Sequence, residues 1–208
     1  MKQVDKNHYE FDNYCGPDRW GSYYYQLKEV LDKSPSSILE VGGGDGVFEN
    51  YLKVNTDVDY KSMNIAEDLE PDVLGSVEKI PLNDNSFDYV CAFEVLEHLP
   101  FEKFETSLKE MKRIAKRGVI VSLPHFGPMI SFSFKIPFLK EKRFAFKVPY
   151  YRNHEFNGEH YWEIGKSGYE IAKIRNIIEK HFLIENDYVP HENSYHHFFV
   201  LNKRNHEV

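Results

Sequence analysis

The sequence predicts an α/β fold: a parallel sheet with helices on both faces and an antiparallel hairpin at one edge. Three observations predict it. Short apolar strands alternate with amphipathic helices through the first half of the 208-residue chain. A glycine cluster, Gly42-Gly-Gly-Asp-Gly46, follows the first strand and opens a helix. The last two strand patterns, 183–188 and 196–202, are joined by Pro190 and Asn193 turn chemistry, with too few residues for a crossover helix.

Each element has its own signal. Residues 1–17 are polar and aromatic without periodicity and read as an arm or lid. A helix follows, with Asp18 as N-cap and Trp20, Tyr23, Tyr24, Leu27, Val30 and Leu31 on one face; Pro35 and its serines end it. Ser37 to Val41 is a short apolar strand, and Val47 to Leu52 resumes helix. Weaker strands cover 57–63 and 72–77, and Asn83-Asp84-Asn85 is a turn. Phe87 to Phe93 is a buried strand. Phe101 to Lys116 is a helix whose stripe is Phe101, Phe104, Leu108, Met111, Ile114 and Ala115. Val119 to Leu123 is a strand that stops at Pro124. Residues 127–157 are irregular, aromatic and positive. Ser167-x-x-Glu170 reads as a capping box for a helix carrying Ile171, Ile174, Ile177, Ile178 and Phe182.

With 41% hydrophobic and 28% charged residues, the chain has the mix of one globular domain over 1–208. That domain comprises an N-terminal arm and helix (1–34) and an insert (126–165). Its net charge of −7 argues against a nucleic-acid coat. Two cysteines, Cys15 and Cys91, exclude a disulfide scaffold. The N-terminus has no signal-like apolar stretch, and no run is long enough for a membrane helix, so a reduced, cytoplasmic protein is expected.

The glycine loop discriminates between ligands. A dinucleotide fingerprint needs G-x-G-x-x-G, and Val47 or Glu49 stands where its third glycine belongs. The spacing that fits is Glu40-x-Gly42-x-Gly44-x-Gly46. Three further stretches stand in order behind it: Ile80-Pro-Leu-Asn-Asp-Asn-Ser-Phe-Asp88, Phe93-Glu-Val-Leu-Glu-His-Leu99 and Lys112 to Pro124. Together they resemble the class I S-adenosylmethionine-dependent methyltransferases, in particular the type 11 group, over Ser37 to Asn202. The resemblance implies a Rossmann-like, doubly wound, seven-stranded sheet in three α/β/α layers. It places Gly42, Gly44 and Gly46 beneath the methionine part of S-adenosylmethionine and Glu40 near its amino group. Phe93, at the exit of strand four, joins the cofactor contacts. Asn64 stands where an acid normally holds the ribose, and an amide bonds a hydroxyl without charge assistance. Ser76 and Val77 stand where the family contacts adenine.

Glu94, Glu97 and His98 stand at i, i+3 and i+4. On a helix they point one way, and two carboxylates with an imidazole suit Mg²⁺ or Mn²⁺; the nitrogen also admits Zn²⁺ or Fe²⁺. The string resembles the metal motif of small-RNA 2′-O-methyltransferases and the same string in ubiquinone-pathway O-methyltransferases. That resemblance nominates His160, in His160-Tyr-Trp-Glu163, as a fourth ligand. His125, just after strand five, would face the same mouth. In a structural reading the string only caps the next helix; in a metal-free enzyme His98, His125 or His160 is the general base.

The insert carries Lys135, Lys140, Lys142, Arg143, Lys147 and Arg152 against Glu141 alone, interleaved with aromatics. This predicts an anionic small-molecule or glycan acceptor. A solvated loop and weak membrane apposition through Phe132, Phe134, Ile136, Phe138 and Leu139 stay open beside it. His196 and His197, adjacent on a strand, must face opposite ways and read as edge-strand packing. The expected activity is O-methylation of a hydroxyl on a sugar-like acceptor, as in nucleotide-sugar or surface-polysaccharide pathways. The rivals are a quinone- or phenol-type enzyme, an RNA-end enzyme, and a non-catalytic cofactor-binding partner.

Overall fold

The computed structural model describes residues 10–150 and 152–204; the first nine residues of the expected arm lie outside them. Helices α1 (Phe11–Tyr14) and α2 (Pro17–Leu31) come first. Strand β1 (Ser37–Val41) leads through the glycine loop into α3 (Val47–Asn55). Then come β2 (Asp59–Asn64), a single 3₁₀ turn (Glu67–Leu69), β3 (Val73–Leu74) and β4 (Phe87–Phe93). After β4 two 3₁₀ turns, Leu96–His98 and Phe101–Lys103, precede α4 (Phe104–Ile114) and β5 (Ala115–Pro124). The insert forms β6 (Met129–Phe134) and β7 (Lys142–Lys147), and α5 (Ile171–Glu179), β8 (Phe182–Tyr188) and β9 (His196–Lys203) close the chain.

The main sheet has seven strands in the order β3-β2-β1-β4-β5-β9-β8. The first five run parallel, and β9 is antiparallel to both β5 and β8. The expected fold class is therefore found, hairpin at the edge included. Every residue of β1 is buried, as a central parallel strand demands. Ile38 packs with Val30, Phe48 and Leu52 of α2 and α3 on one face. Leu39 and Val41 pack with Leu108 and Met111 of α4 and Ile174 and Ile178 of α5 on the other. Strand order reverses between β1 and β4, and the crevice at such a reversal is where open α/β sheets bind ligands.

Four local readings need correction. Helix α2 starts at Pro17 with Gly16 as N-cap, not at Asp18; it buries Ser22, Tyr23, Gln26, Glu29 and Val30 and leaves Trp20 and Tyr24 exposed. The buried stripe is polar because it faces hydrogen-bonding groups of the sheet rim. Residues 101–103 form a 3₁₀ turn, so the helix proper is shorter than its apolar stripe. Glu170, not Ser167, is the N-cap of α5, and its carboxylate accepts from Gly168 N at 2.9 Å, so the capping box does not form. The insert is not irregular: β6 and β7 pair antiparallel from Met129↔Lys147 to Phe134↔Lys142.

Candidate active site

The glycine loop is held open by backbone conformation. Gly42, Gly44 and Gly46 all have positive φ, at +79°, +52° and +75°. At Gly42 there is also no room, since a Cβ would stand 2.5 Å from Val95 Cγ2. Gly46 is the N-cap of α3 and has no side chain to give. Asp45 supplies the cap: its Oδ1 accepts from Val47 N at 3.2 Å. Its Oδ2 accepts from the Tyr23 hydroxyl, tying the loop to α2. Glu40 lies buried beneath Gly43 and accepts a hydrogen bond from the Tyr60 hydroxyl. Burial pushes its carboxyl up to about 8.

A cavity of about 520 Å³ opens over this loop. Gly43, Gly44 and Gly46 form one wall, Ser62 and Asn64 its floor at the end of β2, and the turn at Asp68 and Leu69 the other wall. Asp45, Glu49, Asp68 and Glu70 make its lining acidic, suited to a ligand bearing positive charge. Asn64 Oδ1 accepts from Ala66 N at 3.0 Å, which leaves the side-chain N–H group as its donor toward a ligand. Phe93 packs edge-on against Phe48 at 5.3 Å in the core. Val77 is buried in the core, and Ser76 Oγ accepts from Glu78 N at 3.3 Å.

Beyond β4 the chain does not turn α-helical, so the expected i, i+3, i+4 alignment fails. Glu94 has φ +54°, and Leu96–His98 is a 3₁₀ turn. Glu97, His98 and His160 nonetheless converge, with one ligand atom from each within 4.8 Å of the others. Glu94 is outside this trio; its Oε2 faces His196 Nε2 at 3.6 Å. His160 is delivered by Tyr161 N, which donates to Glu97 O at 2.9 Å, and by Trp162 Nε1, which donates to Leu99 O at 3.1 Å. Because His98 Nδ1 meets the Glu159 carbonyl at 3.1 Å, it must carry the proton, and its Nε2 is left as a lone-pair donor. His160 Nδ1 faces Glu163 Oε1 at 3.4 Å, and Tyr195 donates to the same oxygen at 3.0 Å. A carboxylate behind an imidazole is the usual outer support of a metal-ligating histidine.

The electrostatics of this cluster are one-sided. Glu97 is fully buried, and neither carboxylate oxygen has a hydrogen-bond partner. Burial, then the charge of Glu94, raise its carboxyl well above the usual range. Burial likewise pushes Glu94 up to about 7.

His125 is outside this trio. Its Nδ1 meets His197 Nδ1 at 2.8 Å, and His197 Nε2 donates to Asp187, which Arg175 holds from outside. Burial, then His197, lower the His125 imidazole to about 3. His196 turns to the opposite face of β9. Asn193 Nδ2 donates to Ser22 Oγ at 2.8 Å, and the same hydroxyl is hydrogen-bonded to His196 Nδ1 at 2.8 Å. The opposite facing expected of this pair is found, although β9 is an inner strand rather than the edge. Asp45 stands inside the glycine cluster, Tyr195 beside His196 and Glu163 at the end of His160-Tyr-Trp-Glu163, but no motif assigns these residues or Tyr23 a part in the site.

Residues 39–123 match the protein family described as "Methyltransferase domain". An uncharacterized protein of Methanocaldococcus jannaschii is 30% identical over 94 residues, 43% of this chain and 40% of the relative. The demethylmenaquinone methyltransferase of Staphylococcus aureus is 31% identical over 140 residues, 64% of this chain and 52% of the relative. The chain thus spans about half the length of the curated relatives it matches. In fold, it resembles the N-methyltransferase NodS of Bradyrhizobium japonicum, solved with S-adenosylhomocysteine, at a TM-score of 0.62 and 10% identity over 98% of this chain and 95% of that one. Residues 39–123, then, match a methyltransferase domain, and the sheet built around them has the Rossmann-like fold of the similar methyltransferase structures.

Proposed function

We propose that this chain is an S-adenosylmethionine-dependent O-methyltransferase. It binds the cofactor in the glycine-loop cavity and acts on a hydroxyl of an anionic, sugar-like acceptor. Glu97, His98 and His160 would hold Mg²⁺ or Mn²⁺. The observation that carries this reading is the fully buried Glu97 carboxylate, two oxygens without a hydrogen-bond partner beside two imidazoles. A buried carboxyl without hydrogen-bond partners is costly as the anion, so it either keeps its proton or is compensated by a cation. When bound there, the ion supplies Lewis acidity that brings a hydroxyl's pKa toward neutrality. Two nitrogens and one carboxylate leave coordination positions open, which suits an acceptor offering neighbouring hydroxyls.

The chain's own residues position the rest. The loop backbone lets the cofactor approach closely, and the acidic lining opposes its positive charges. Glu163 and Tyr195 hold the His160 ring, and the Glu159 carbonyl fixes the His98 tautomer. The acceptor oxygen bonds the transferred methyl carbon as the carbon–sulfur bond breaks, leaving S-adenosylhomocysteine, and the hydroxyl proton passes to solvent water.

A second reading, a quinone-type acceptor, is favoured by the 31% identical relative, a demethylmenaquinone methyltransferase. Calorimetric titration of Mn²⁺ into protein saturated with S-adenosylhomocysteine separates the two. Binding near one ion per chain, lost in Glu97→Ala, supports the metal-assisted reading. Transfer to a quinone acceptor that persists in chelator, with no ion bound, would replace it. Cofactor binding without turnover on either acceptor class would favour a non-catalytic partner protein.

A further inference from the structure

We propose that the β6–β7 hairpin docks this protein on an anionic lipid bilayer. The register sets Ile130 opposite Phe146, Phe132 opposite Phe144, and Phe134 opposite Lys142. Residues directly opposite share a face, and successive residues alternate faces. Ile130, Phe132, Phe134, Phe144 and Phe146 therefore form one continuous apolar face, and all five are exposed. The rings of Phe132 and Phe144 stack at 5.3 Å, and those of Phe134 and Phe144 at 6.1 Å. The hairpin tip extends this face with exposed Ile136, Phe138 and Leu139. Beneath the tip, a hollow of about 280 Å³ has an apolar floor of Phe134, Ile136 and Leu139 and is rimmed by Lys140 and Lys142.

Charge selects the occupant. Lys135, Lys140 and Lys142 bracket the apolar tip, and residues 135–152 carry six cationic side chains against Glu141, in a chain of net charge −7. A second copy of this face would set lysine against lysine. A surface that is apolar within and anionic at its boundary fits both features. Each strand of this two-stranded ribbon keeps an outer backbone edge, which cannot enter hydrocarbon without loss of hydrogen bonding. The hairpin would therefore lie at the headgroup boundary and not cross it. It is also anchored beside the site: Lys147 Nζ donates to the carbonyls of His125 and Gly127 at 2.6 and 2.8 Å, and Arg143 pairs with Glu192, which accepts from Tyr25. This inference does not rest on the cation site, and its test involves no metal.

The test is flotation of the full chain with vesicles of equal parts phosphatidylcholine and phosphatidylglycerol, against pure phosphatidylcholine. Binding to the mixed vesicles is expected, weakening as salt is raised. Phe134→Ser with Phe138→Ser is expected to lower it at least roughly tenfold, and Lys135→Gln with Lys140→Gln and Lys142→Gln to abolish the preference for phosphatidylglycerol. Phe138→Trp supplies a readout independent of variant folding: its emission shifts to the blue on adding mixed vesicles. Wild-type protein that stays unbound, or a Phe138→Trp emission that mixed vesicles leave unmoved, overturns the proposal. So does a dimer that Phe134→Ser with Phe138→Ser makes monomeric, because the face then belongs to a second copy.

Discussion

The hydroxyl of Tyr23 on α2 donates to Asp45 Oδ2 in the glycine loop at 2.5 Å, so a helix outside the matched domain segment holds the loop that lines the cavity. Burial, then the bond to Asp45, keep this phenol protonated far above its ordinary range. Tyr23→Phe removes one hydrogen bond to a charged partner, about 1.5–3 kcal/mol where buried. S-adenosylhomocysteine affinity should fall roughly five- to tenfold, read by calorimetry, with the fold intact. An unchanged affinity would detach α2 from cofactor binding.

Gly42 combines positive φ with a wall at Val95. Gly42→Ala should cost about 2–4 kcal/mol from left-handed strain plus the clash. Thermal unfolding should shift down accordingly. Val95→Ala added to it should restore part of the loss, since only the clash is relieved. No restoration in the double variant would mean that the backbone term acts alone.

Burial, then the charge of Glu94, raise the Glu97 carboxyl well above the usual range, so it keeps its proton to higher pH than an ordinary glutamate. Cation binding must displace that proton, so Mn²⁺ affinity should rise with pH and binding should release protons to buffer. Mn²⁺ should raise the Tm of the wild type, and Glu97→Gln should abolish that rise. Buffers of different ionisation heat, compared in the calorimeter, count the released protons; a count of zero contradicts a protonated Glu97 at this site.

His125 and His196 are both lowered to about 3, chiefly by burial, and then by His197 and by Arg19 respectively. Both are buried neutral, while the unfolded chain protonates them near pH 6.5. Between about pH 6.5 and 3 the unfolded state binds more protons, so their contribution to stability is complete above that window and is lost as pH falls through it. Urea midpoints should fall from pH 6.5 to 4, and His125→Gln should flatten part of that slope. A midpoint constant across this range would contradict the buried neutral assignment.

The elements legible in the sequence are those whose burial is decided by their own residues. Phe87 to Phe93 is a strand to the residue, because both its faces are covered and every position but Asp88 is buried. Helix α2 is legible as a helix but not as to its face. Its buried Ser22 and Glu29 are matched by Asn193 and Tyr188 from the far end of the chain, with His196 beside Ser22. The β6–β7 hairpin has a readable signal, the alternation Met129-Ile-Ser-Phe-Ser-Phe134, which its basic and aromatic composition obscures.

The sequence by itself determines the parallel sheet and the glycine loop, since these follow from apolar runs and from positions where only glycine can adopt the backbone; the kind of ligand that loop admits is what the resemblance of its motifs implies. It also names Glu97, His98 and His160. Only the tertiary structure decides that these three converge while Glu94 and His125 are drawn off to His196 and His197. The reason is physical: a 3₁₀ turn replaces the helix on which residues i, i+3 and i+4 would align, and His160 arrives through main-chain bonds from a segment sixty residues downstream, a contact that no local spacing encodes.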